Sequence, residues 1–209
     1  MTHTPSHTKK ILMFDFDGVL IDTLIPVYLM AREINEDMDL EEYKTFFDGN
    51  IHDATRKNGQ LQNFDPLFPE KYDHIVREMK IPDILKEAVR KLSASHLLVI
   101  VSSTPSASIE KILAREGIRE CFADILGADI HKSKAVKIRM LLDAYSKAPH
   151  DCLFITDTLG DIREAAACSV PAVAVTWGFH NAENLQKGNP AAIIEDPNDF
   201  VSVVENMLK

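Results

Sequence analysis

Lys10-Ile11-Leu12-Met13-Phe14-Asp15-Phe16-Asp17-Gly18-Val19-Leu20-Ile21-Asp22-Thr23 is the stretch on which the fold turns. Ile11 to Phe14 is an unbroken apolar run, of the kind that forms a strand buried on both faces of a sheet. The run stops at Asp15, and Asp17 and Gly18 follow at once. In an open α/β sheet, ligands collect outside the carboxyl ends of the strands. Two carboxylates at such an end, with a glycine turning the chain behind them, make a place to hold a hard cation and do chemistry. Asp after a strand is also a common turn former or helix N-cap, so Asp-x-Asp alone carries little.

Working outward, apolar runs recur at Leu97–Val101, Phe122–Leu126, Cys152–Ile155, Ala172–Thr176 and Ala191–Ile194. Helical patterns separate them. One covers 82–95, with Ile84, Leu85, Ala88, Val89 and Leu92 on one face. Another carries Ile109, Ile112 and Leu113 and stops at Gly117, and a third starts after Ser133 with Ile138, Leu141, Leu142 and Tyr145. Shorter helices are expected over 161–168 and 198–208. Strands alternating with helices predict an α/β fold, a Rossmann-like parallel sheet with right-handed crossovers. Residues 24–80 break the pattern, since they contain no convincing strand. Helices are expected from Pro26 onward and over 40–47, 51–57 and 70–79, with breaks at Gly49-Asn50, Gly59, Pro66 and Pro69. The expected organisation is a core of residues 1–23 and 81–209 with a small all-helical cap, 24–80, inserted after the first strand.

The chain has 209 residues, 45% hydrophobic and 26% charged, an ordinary globular balance with room for one sizeable core. Its net charge is −9 and no basic patch stands out, so nucleic acid is not an expected partner. Cys121, Cys152 and Cys168 are odd in number and lack Cys-x-x-Cys spacing, which fits a reducing compartment. The first ten residues lack a long apolar core and no run approaches a membrane span, so neither a signal peptide nor a membrane partner is expected. A cytoplasmic location is the expectation.

Asp15-Phe16-Asp17-Gly18-Val19-Leu20-Ile21-Asp22-Thr23 resembles the first motif of the haloacid dehalogenase superfamily, in the form its phosphatases carry. Later sites line up with that resemblance, each at a strand end or the start of the next helix. Ser102, after the second buried strand, resembles the family's phosphate-binding Ser or Thr, and the Ser103 backbone N–H stands beside it. The family's third motif is a Lys that neutralises phosphate and nucleophile. Lys134 and Lys132 both compete for it, with Lys134 favoured by its place in the first turn after Ser133. Asp157-Thr158-Leu159-Gly160-Asp161 resembles the fourth motif, with Thr156 where relatives more often have Gly. The resemblance implies a Mg²⁺ site drawn from Asp15, Asp17, Asp157 and Asp161, with Asp17 giving its backbone carbonyl.

It further implies Asp15 as nucleophile and Asp17 as general acid and base, acting on a small phosphomonoester such as phosphoglycolate. A phosphosugar mutase of the same fold and a non-enzymatic binding protein are the alternatives. Related phosphatases place a Gly-containing cap loop over the active site. The expected substrate contacts in this chain are Asn50, His52 and Arg56, of which the last two share a helix face.

Overall fold

The computed structural model describes residues 9–52 and 68–208. Its centre is a six-stranded, wholly parallel sheet in the order β3-β2-β1-β4-β5-β6. The strands are β1 (Ile11–Phe14), β2 (Leu97–Val101), β3 (Phe122–Leu126), β4 (Cys152–Thr156), β5 (Ala172–Val175) and β6 (Ala192–Ile194). Ile11 pairs with Leu97 on one side and Cys152 on the other, so β1 is central and buried along its whole length. The order reverses direction at β1 and β4. That switch point is where an open α/β sheet leaves a crevice beyond its strand ends.

Side chains alternate across the sheet and build two cores. Leu12, Phe14, Ile100 and Ile155 face one layer of helices, α4 (Asp83–Ser95), α5 (Ser106–Arg115) and α9 (Phe200–Met207). Ile11, Met13, Val99 and Phe154 face the other, α6 (Lys134–Ala144) and α7 (Leu159–Ala166), with α8 (Ala182–Gln186) behind. Phe14 meets the edge of Phe122 at 5.8 Å and 90°. Complete burial of such a side chain stabilises the fold by ~1.5–3 kcal/mol. These two layers determine where each strand ends, and hence where the polar residues following it stand.

Between β1 and α4 the described residues contain only helical elements: α1 (Leu24–Arg32), α2 (Leu40–Thr45), a 3₁₀ turn at Phe46–Asp48, and α3 (Phe68–Val76). Asp39 caps α2 by accepting from the Glu42 N–H at 2.7 Å. Met38, Tyr43 and Phe46 form a small core of their own, closed from the sheet side by Phe179, which follows β5.

Several boundaries differ from those expected. The helix expected from residue 161 begins two residues earlier at Leu159, because Thr158 is its N-cap and accepts from the Asp161 N–H. The segment expected over 40–47 splits into α2 and the 3₁₀ turn, and the one expected over 70–79 spans Phe68–Val76. Most of the segment expected over 51–57 lies outside the described residues. All three cysteines are free thiols. Among the described residues, no helix is long and apolar enough to cross a membrane.

Candidate active site

Asp15 stands at the end of β1, its backbone N–H on the Ile155 carbonyl at 2.9 Å. One carboxylate oxygen, Oδ1, accepts from the Phe16 N–H at 2.7 Å; the other accepts from Lys134 Nζ at 2.6 Å. Lys134 reaches it from the first residue of α6. That helix starts where it does because Ser133 Oγ accepts from the Val136 N–H and donates to Glu164 at 2.7 Å. The same Nζ lies 2.6 Å from Asp161 Oδ2, which also accepts from Thr156 Oγ1 at 2.7 Å. Thr156 thus holds Asp161 in place.

Asp157 follows β4. Its Oδ2 accepts from the Phe179 N–H at 2.7 Å, while its Oδ1 is buried and has no hydrogen-bond partner. Gly18, at φ +71°, and Gly178 leave this carboxylate its space, since a Cβ on either would lie within 1.9 Å and 2.3 Å of Asp157 Oδ2.

Asp17 sits two residues beyond Asp15 and its side chain takes another direction. Oδ1 accepts from Thr23 Oγ1 and Tyr72 OH, both at 2.7 Å, and Oδ2 accepts from Thr104 Oγ1 at 2.6 Å. The carboxylate is therefore oriented by hydroxyls from the chain after β1, from α3 and from the loop after β2.

Asp15, Asp157 and Asp161 are buried carboxylates, and the buried Lys134 ammonium is paired with Asp15 and Asp161. Burial pushes Asp15 well above the usual carboxylate range, and pushes Asp157 up to about 7 against the Phe179 hydrogen bond. Burial would also raise Asp161, but Lys134, Thr156 and their hydrogen bonds outweigh it and hold that group low. Burial would lower Lys134, and the two carboxylates beside it outweigh that and hold it above its ordinary value. Lys134 pairs with Asp15 and Asp161 and leaves the Asp157 carboxylate without an ion pair, and a divalent cation suits oxygens so placed. The orphaned Asp157 Oδ1 is an oxygen donor of the hard kind such a cation takes. Among the described residues, however, no three His, Cys, Asp or Glu side chains are arranged as a ready metal site. The Lys134 ammonium stands between Asp15 and Asp161, and the Asp17 carboxylate is turned to its three hydroxyls.

Ser102 is fully buried after β2, its Oγ accepting from the Thr104 N–H at 3.1 Å, and Ser103 lines the cavity beside it. Lys132 is exposed and offers the site only its backbone carbonyl, to Asn50 at 3.2 Å. Asn50 also donates to Glu164 at 3.1 Å, so its amide joins the helical segment to the sheet domain. His52 lines the cavity. Arg56 lies outside the described residues.

Three participants were missed by the sequence reading. Tyr72 and Thr104 hold Asp17, and Lys137 donates to the Ser102 and Gly127 carbonyls at 2.5 and 3.2 Å, anchoring the loops after β2 and β3. Burial, with Lys134 nearby, lowers Lys137 to about 8. Its one sequence signal was its spacing, a second lysine three residues after Lys134 on the inward face of α6.

The sequence profile of haloacid dehalogenase-like hydrolases matches residues 12–175. The chain is similar to a phosphoglycolate phosphatase of Synechococcus elongatus, 25% identical over 208 residues that cover 95% of this chain and 98% of the other. It is also similar to a probable phosphatase of Dickeya dadantii, 23% identical, with 96% of each chain covered. Among solved structures, a haloacid dehalogenase-like family protein of Streptococcus pneumoniae superposes with a TM-score of 0.79 at 20% identity, covering 94% of this chain and 98% of that one. A hydrolase of Pseudomonas syringae gives 0.80 at 14% identity, covering 96% and 100%. With its profile match running from β1 through β5, the chain belongs to the haloacid dehalogenase-like hydrolase family.

Proposed function

We propose that this chain is a Mg²⁺-dependent phosphatase that hydrolyses a small phosphomonoester through an aspartyl-phosphate on Asp15. The observation that carries this reading is the pair at the end of β1: Asp15 held by Lys134 at the cavity floor, and Asp17 beside it oriented by three hydroxyls. Two carboxylates with such different surroundings suit two different tasks. The names of the relatives, phosphoglycolate phosphatase and probable phosphatase, support the reaction class.

In the first step an Asp15 carboxylate oxygen attacks phosphorus and the bond to the leaving oxygen breaks, while Asp17 delivers a proton to that oxygen. In the second, water attacks the phosphorus of the aspartyl-phosphate as Asp17 takes a proton from it, and Asp15 is released as carboxylate with inorganic phosphate. Lys134, Ser102 and the Ser103 N–H neutralise or bind the phosphoryl oxygens, where most of the stabilisation in phosphoryl transfer is concentrated. Asp15, Asp157 and the Asp17 backbone carbonyl would hold the metal, with Asp161 supporting it. Mg²⁺ bound there supplies positive charge to the phosphoryl group and its attacking carboxylate. Residues 24–80 act as a cap over this floor and keep bulk water from the aspartyl-phosphate.

The test is phosphate release from p-nitrophenyl phosphate with Mg²⁺. Wild-type protein should turn it over, chelator should stop it, and Asp15→Asn should lower kcat by about a thousandfold or more with an unchanged circular-dichroism spectrum. Turnover by Asp15→Asn at the wild-type rate would remove Asp15 as nucleophile.

A further inference from the structure

Above the polar floor, the cavity is walled by the helical segment, and that wall is apolar. Val27, Met30 and Ile34 approach from α1 and the residues after it, and Tyr43, Phe47 and Ile51 from α2 and beyond. Ile34 is 44% exposed and sits at the mouth, so the apolar surface continues to solvent. A large side chain left exposed beside a cavity of the same character lies where a ligand's apolar body would cover it.

Among the described residues above the floor, besides His52, four polar side chains are engaged with the protein. Tyr72 OH is on Asp17, Asn50 is on Lys132 and Glu164, and Glu164 also accepts from Ser133 and from the Ala135 N–H. Among the described residues Lys71 is the lysine lining this upper part, and it is paired with Glu33 at 2.5 Å. A leaving group bearing a carboxylate would lose water against the aliphatic and aromatic carbon that makes up most of the described wall, which does not offset that cost. A branched alkyl or aryl leaving group would instead gain from burial.

Resting on the phosphatase reading above, we infer that the substrate is the phosphate ester of an apolar alcohol or phenol, not of a small hydroxy acid. The phosphoryl group is held at the floor by the same residues for any substrate, and the ester's carbon skeleton is selected by the wall.

Isobutyl phosphate and 2-phosphoglycolate are a matched pair for testing this, with two methyl groups in one where the other has two carboxylate oxygens. With Mg²⁺ present, kcat/KM should be at least tenfold higher for isobutyl phosphate. Along ethyl, propyl and butyl phosphates it should rise about fourfold per methylene, the value of one buried methylene. Ile34→Lys, which places a cation at the exposed mouth, should narrow or reverse the preference within the matched pair. Equal or faster turnover of 2-phosphoglycolate by the wild-type protein, or a flat alkyl series, would overturn the inference and leave the phosphatase reading standing. Release of phosphate from no compound in the panel would overturn both.

Discussion

Asp157 carries a sharp consequence at the scale of one residue. Burial raises its pKa to about 7, so between the ordinary carboxylate value and that point the folded protein holds a proton that the unfolded chain has released. The unfolded state then binds fewer protons, and the metal-free protein loses stability as pH rises through this window. Asp15, also raised by burial, acts in the same direction. A cation that takes the orphaned Oδ1 needs the carboxylate form, so below pH 7 it competes with a proton. Going from pH 6 to pH 8 should tighten Mg²⁺ binding about tenfold, the change in carboxylate fraction about a pKa of 7. The rise in Tm on adding Mg²⁺ should therefore be larger at pH 8 than at pH 6, and Asp157→Asn should reduce the difference. A metal-induced shift that is the same at both pH values would detach Asp157 from metal binding.

At the scale of elements, the site depends on where helices begin. Ser133 starts α6, and the first turn it opens carries Lys134 to the end of β1. Ser133→Ala removes both the cap and the hydrogen bond to Glu164, and should cost ~1 kcal/mol, a fall in Tm of about 2–4 °C. Ser133→Asp keeps a capping oxygen but sets a carboxylate against Glu164, so it should recover only part of the loss in the same melting experiment. The strands were legible in the sequence because each is a short apolar run bounded by polar residues, and the residues just past β1, β2 and β4 could be located from those runs. The start of α7 was harder to read. Thr158 and Asp161 are both competent caps, and only the hydrogen bond from the Asp161 N–H to Thr158 Oγ1 distinguishes them. Tyr72 and Thr104 were hidden for another reason, since their bonds to Asp17 span 55 and 87 residues of sequence. Neither alters the local pattern of its own segment: Tyr72 reads as one more buried aromatic and Thr104 as a turn residue before Pro105.

The whole molecule depends on how the helical segment is tied to the sheet, and His180 is at the centre of that tie. Its Nδ1 accepts from the Leu159 N–H at 3.0 Å, which leaves Nε2 as the protonated nitrogen, 3.0 Å from the Lys44 carbonyl. A neutral imidazole thus joins the first turn of α7, next to Asp157, to the end of α2. Two further bonds run in parallel, from Arg163 to the Asp48 carbonyl at 2.5 Å and from Asn50 to the Lys132 carbonyl at 3.2 Å. All three join residues 44–50 to the α6 and α7 side of the site, so they act together to hold one wall of the cavity over the floor. His180 is the buried member, only 1% exposed, and the others are near solvent. His180→Ala would leave the Leu159 N–H and the Lys44 carbonyl without partners in a dry place, at a cost of ~1–3 kcal/mol. Tm should fall by several degrees, and limited proteolysis should cut within residues 24–80 before it cuts the sheet domain. The steps proposed for Asp15 and Asp17 use none of these bonds, so kcat on p-nitrophenyl phosphate should change less than KM, which reports how well the wall stays in place. Arg163→Ala, which releases an exposed bond, should move KM in the same direction by a smaller factor. If His180→Ala lowers kcat as much as it raises KM, closure of the helical segment contributes to the chemical step itself and not only to holding the substrate.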